Sequence, residues 1–207
     1  MIFKEVAPKI YAIESKTAKE VAKIFVRLQE NYESPEFRDK VFTLRQFISY
    51  YKKFTKKSKF TYYRDWGGFN VPSYIVDRFA NGEFGKLRRE EKWLLNQIKK
   101  ANVKGKFYLL GYPKRSAAAK KHEIAHGMFY TLPEYRDDVL RALDDFNMKT
   151  HPLAVYLRNI GYHEAVIVDE FHAWILTEKD HLRTHALWDK DLEKLRKWLQ
   201  HLYWRHS

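Results

Sequence analysis

The sequence predicts an α+β fold in which helices dominate and a small sheet is drawn from the first half of the chain. Three observations carry this. Apolar residues recur at helical spacing through most of the segments long enough to be helices. Short alternating or continuous apolar runs, the pattern of strands, cluster before residue 112. Hydrophobic residues make up 45% of the 207 positions and aromatic residues 16%, enough for a substantial core.

Taken in order, residues 2–14 alternate apolar and polar, as a strand does. Thr17, with Glu20 three residues later, caps a helix over 17–31 that sets Val21, Ile24, Phe25 and Leu28 on one face. The same spacing returns over 43–57 with Leu44, Phe47, Ile48 and Tyr51. Residues 59–63 (KFTYY) read as a strand, and Asp65-Trp66-Gly67-Gly68 as a turn. Pro72 opens a short helix through Phe79. Residues 88–100 form a helix around Trp93, Leu94 and Ile98, and 106–111 a buried strand closed by Gly111 and Pro113.

Beyond this point the chain reads as helix. Ser116 caps a helix to Tyr130, Pro133 opens one to Phe146, and Pro152 opens one to Asn159–Gly161. Residues 163–178 and 187–204 complete the set, although Val166-Ile167-Val168 also suits a strand.

Composition excludes several classes. Eight Gly and six Pro rule out collagen-like and low-complexity chains, and the aromatic content rules out disorder as the dominant state. No apolar run approaches the 18 residues of a membrane span, so no membrane partner is expected. The start lacks the unbroken apolar stretch of a secretory signal, and a cytoplasmic location is the expectation. With no Cys there is no disulfide, thiolate metal site or cysteine nucleophile, so any metal must be held by His and carboxylates.

Residues 122–126 read His-Glu-Ile-Ala-His. On a helix, positions i and i+4 share a face, so His122 and His126 can offer two imidazole nitrogens to one metal ion. Glu123 stands beside that face, where a carboxylate can take a proton from a water that a metal ion has acidified. A catalytic zinc site needs a third protein ligand and an open position. The metzincin spacing does not supply one, because Leu132 stands six residues after His126. Glu170 does: it lies inside the apolar stripe Val166, Ile167, Phe171 and Trp174, and a buried carboxylate demands a cation. An ion pair with Arg158 is the structural alternative. Asp169 can orient a ligand histidine, while His151, His163 and His172 are weaker ligand candidates. Tyr130, Tyr162 and His163 are possible donors to a developing oxyanion.

The HEIAH helix, followed 44 residues after His126 by a Glu-bearing helix (VDEFHAWI), resembles the gluzincin group of zincin metallopeptidases, most of all its small members. The resemblance covers roughly residues 106–178 and departs from the thermolysin-like pattern, since no Asn-Glu-x-x-x-Asp surrounds Glu170. It implies one zinc per chain at His122, His126 and Glu170, general acid/base work by Glu123, and a strand near the active-site helix, for which 106–111 is the candidate. A zincin-like helical part over 106–207 would follow a basic, aromatic-rich part over 1–105. The substrate would be a peptide or protein, with Glu123, Tyr162 and His163 as the catalytic set.

Charge distribution supplies the alternative. Residues 1–120 carry 27 Lys+Arg against 12 Asp+Glu, whereas 121–207 carry 12 against 14. From Lys40 to Arg64 there are eight basic and no acidic residues, interleaved with Phe42, Phe47, Tyr50, Tyr51, Phe54, Phe60, Tyr62 and Tyr63. Phosphate neutralisation plus stacking is what single-stranded nucleic acid requires, so residues 40–64 could bind it or another polyanion. The competing reading buries the rings and leaves Lys52, Lys53, Lys56 and Lys57 as a solvated face.

Overall fold

The computed structural model describes residues 1–206 and has the expected α+β architecture. Two short strands, β1 (Ile2–Ala7) and β2 (Ile10–Ser15), replace the single strand read over 2–14. The chain reverses at Pro8-Lys9, where Lys9 takes a left-handed backbone (φ 62°) and donates its N–H to Glu5 Oε1. Then come α1 (Ala18–Glu33), capped by Thr17, and α2 (Leu44–Phe54), whose Thr43 and Gln46 form a capping box.

The strand expected over 59–63 is absent. Tyr62–Asp65 form a single helical turn, α3, and the sheet strand is instead β3 (Phe69–Pro72). Aromatic packing decides this: Tyr62 is drawn against Phe47 and Tyr51, with ring centroids 5.0 and 5.2 Å away, so the segment turns inward rather than pairing. Pro72 ends β3 at the sheet edge, where its missing N–H costs no ladder bond, and α4 (Ser73–Ala80) and α5 (Arg89–Lys100) follow.

Strand β4 (Tyr108–Pro113) runs through Gly111 rather than ending there. A Cβ at Gly111 would overlap Val21 and Phe25, so this glycine admits α1 against the strand. The second half holds α6 (Ala117–Thr131), α7 (Pro133–Ala142), α8 (Pro152–Ile160), a 3-10 turn (Glu164–Val166), α9 (Ile167–Thr177), α10 (Lys179–Thr184) and α11 (Lys190–His206). Val166-Ile167-Val168 is therefore helical.

The sheet order is β1-β2-β4-β3, with β2 and β4 parallel and the outer pairs antiparallel. Residues 1–105 and 106–207 thus contribute to one sheet, through registers such as Ile10↔Tyr108 and Phe69↔Gly111. Strand alternation sends side chains to two cores. Ile10, Ala12, Tyr108, Leu110 and Tyr112 face the helices from α6 onward. Ile13, Val71 and Leu109 face the aromatic core of α1–α5. Among the described residues no helix is long and apolar enough to cross a membrane.

Candidate metal centre

Helix α6 begins at Ser116, whose hydroxyl accepts the Ala119 N–H, and packs against β3, β4 and α9. One turn apart on its inner face, His122 and His126 bring their Nε2 atoms to 3.2 Å. Glu170 on α9 lies with Oε1 3.5 Å from His126 Nε2, and the three ligand atoms fall within 4.8 Å of one another. His126 and Glu170 are essentially inaccessible to solvent.

The surroundings set the tautomers. Thr177 Oγ1 donates to the Ala173 carbonyl at 2.8 Å, so it accepts from His122 Nδ1, also at 2.8 Å. That leaves His122 Nε2 with its lone pair. His126 Nδ1 stands 2.9 Å from Asp169 Oδ1, off the ideal hydrogen-bond line, and that carboxylate also lies 3.3 Å from His172 Nδ1. With Nδ1 facing a carboxylate, His126 too presents a lone pair from Nε2. A proton shared between the two Nε2 atoms would make one ring imidazolium, yet burial pushes His126 down to about 3 and His122 well below the ordinary range. Two converging lone pairs beside a carboxylate fit a metal cation.

Acidity in the site has the same origin. Burial drives Glu170 well above the carboxylate range, and neighbouring Glu33, Asp169 and Glu123 push it further. Glu123 rises to about 8 and Asp169 to about 7, both through burial. Arg158 does not relieve this charge, because it pairs with Glu164 at 2.6 and 2.8 Å. The Trp174 indole N–H donates to Glu170 Oε2 at 3.2 Å.

Glu123 is fixed from β3. Asn70 Nδ2 donates to Glu123 Oε2 at 2.9 Å, and Asn70 Oδ1 accepts from the Tyr108 hydroxyl. Gly68 lies against Glu123 so closely that a Cβ there would overlap Oε1. The Asp65–Gly68 turn and the start of β3 therefore wall the site. A cleft of about 390 Å³ opens beside His122 and Glu123, lined also by Trp66, Tyr162, Glu178 and His181. Strand β4, expected over 106–111, packs on α6 as read from the sequence, and the edge strand β3 beside it flanks Glu123.

The remaining sequence candidates separate. Tyr162 lines the cleft, whereas His163 turns away to accept the Ala165 N–H through Nδ1 and does not line it. His151 performs the same capping task for Leu153, and Tyr130 packs on Tyr108 beneath Lys106. His172 is enclosed between Phe129 and Tyr135. Glu33 and His181 escaped sequence reasoning. His181 stands on α10, a helix with no periodic signal of its own, and is held by the Tyr156 hydroxyl at 2.9 Å. In the basic segment Phe42, Phe47, Tyr51 and Tyr62 are buried, while Phe54 and the Lys53, Lys56, Lys57 and Lys59 ammonium groups are exposed.

No protein-family profile, no curated protein and no solved structure matches the chain.

Proposed function

We propose that the chain is a zinc-dependent hydrolase, a metallopeptidase of gluzincin type, with His122, His126 and Glu170 as ligands and Glu123 as general base and then acid. The observation that carries this is the pair of neutral imidazole lone pairs meeting 3.2 Å apart beside the Glu170 carboxylate, which no Lys or Arg meets among the described residues. Two imidazoles and one carboxylate with an open position suit zinc. Bound there, the ion supplies Lewis acidity and lowers the pKa of the attacking water.

The chain's own residues do the rest. Thr177 and Asp169 face the Nδ1 atoms of the two imidazoles and orient their Nε2 atoms toward the site. Asn70 holds the Glu123 carboxylate and stabilises its ionised form. Glu123 takes the proton of the attacking water and passes it to the leaving amine. Tyr162, in the cleft, is the hydroxyl available to the oxyanion. The polyanion reading keeps its surface charge but is left with Phe54 as its most exposed ring in segment 40–64, which favours the hydrolase.

Elemental analysis of the purified chain beside His126→Ala and Glu170→Ala tests the ligands; about one zinc per chain, lost in both variants, is expected. Glu123→Gln should keep its zinc and lose roughly 10²–10⁴-fold in peptide hydrolysis. A Glu123→Gln variant as active as the parent would refute the mechanism.

A further inference from the structure

Behind the cleft lies a second, smaller cavity of about 30 Å³, with Glu30, Glu33, Tyr62 and Phe69 in its lining. Trp66 and Tyr162 line both the cavity and the cleft, so the two spaces adjoin at these side chains. The His163 N–H donates to the Glu33 carbonyl at 2.7 Å, tying the Tyr162 segment to the end of α1.

Glu33 is 94% buried, being 6% exposed. Gln29 Nε2 occupies its Oε2, and its Oε1 has no partner. Among the described residues no Lys, Arg or His pairs with Glu30, Glu33 or Glu123. That is unexpected in a chain of net charge +13. A divalent ion at His122, His126 and Glu170 would already face three buried carboxylates, Glu170, Glu123 and Asp169, so it leaves no charge to offset Glu33. A buried carboxylate without a counter-charge is costly.

We infer that this cavity binds a primary ammonium group of the substrate, with Glu33 as its principal acceptor. The inference rests on the hydrolase reading above. The volume suits an ammonium with one companion water, since a water needs about 10–15 Å³ on this measure. The aromatic walls add cation–π attraction. They also deny a second metal the six or more oxygen ligands of a hard divalent cation such as calcium. The ammonium arrives either as the free amino terminus of a peptide or as a lysine side chain.

Hydroxamates separate these cases, because each probe carries the same metal-binding group. Binding to the zinc-loaded chain is measured by calorimetry for leucine hydroxamate against N-acetyl-leucine hydroxamate, and for 6-aminohexanoic hydroxamate against hexanoic hydroxamate. One amine-bearing probe should bind about tenfold or more tightly than its partner. An advantage in the leucine pair assigns the amino terminus, and one in the hexanoic pair assigns lysine. Glu33→Gln should remove the advantage while leaving zinc content and the amine-free probe unchanged. Equal affinities within both pairs on the parent chain would overturn the ammonium site and leave the hydrolase standing. A chain that takes up neither zinc nor any probe would overturn both. A second equivalent of zinc, lost in Glu33→Gln, would replace the ammonium by a metal.

Discussion

Stripped of metal, the protein should lose stability as the pH rises from 6.5 to 8. The buried histidines oppose this in part: His122, His126 and His172 are neutral when folded but half protonated in the unfolded chain at pH 6.5, so each adds about 0.4 kcal/mol of stability by pH 8. The carboxyls outweigh them. A carboxyl whose folded pKa lies above its unfolded value keeps its proton in the native state after the unfolded chain has released it. Stability is then full below the unfolded pKa and falls as the pH rises through the folded one. Glu123, held at about 8 by burial, covers this whole interval. At 1.36 kcal/mol per pH unit it costs about 2 kcal/mol between pH 6.5 and 8. Asp169 and Glu30, each raised to about 7, add a smaller loss in the same direction, and Glu170 and Glu33, pushed well above the carboxylate range by burial, add to it. Urea denaturation of the metal-free chain at the two pH values measures the difference, and added zinc should shrink it by supplying the missing cation. A metal-free protein that is equally stable or more stable at pH 8 would refute the reasoning, because the site carboxylates would then already be compensated.

Three further outcomes follow from named contacts. Gly68→Ala should retain zinc but lose on the order of 10²-fold in hydrolysis, because its Cβ displaces the Glu123 carboxylate, and ångström-scale misplacement has that cost; unchanged kcat/KM would contradict the close approach. Thr177→Val removes the acceptor for His122 Nδ1 at little change in shape, and should weaken zinc affinity about 10–100-fold in a competitive chelator titration. Arg27→Ala strands Glu91, which is 1% exposed and bonded to Arg27 Nε at 2.8 Å, and should cost about 3–5 kcal/mol in denaturant unfolding. The double variant Arg27→Met, Glu91→Leu should recover much of that loss.

What could be read without coordinates was local. Helical spacing set His122 and His126 on one face, and Thr17 and Ser116 announced their helices because a cap acts within three residues. Glu170 was legible for an energetic reason: a carboxylate inside an apolar stripe cannot stay unpaired, and Asp169 beside it meets His126. The KFTYY segment misled because alternation is only a local preference. Its rings gain more by joining Phe47 and Tyr51 than by extending the sheet.

The chain's periodicity and composition by themselves determined the α+β class, most of the helices and the His122, His126 and Glu170 group that could hold a metal ion. Tertiary structure alone decided what surrounds that set: Asn70, 53 positions before Glu123, now holding it; Glu33 from α1 behind the cleft; His181 beside it; and His163 turned away to a cap. The physical reason is range. Backbone hydrogen bonding and capping act over a few residues. The choice of β3 as the neighbour of β4 depends on long-range packing, and that choice brings Asn70 to the carboxylate.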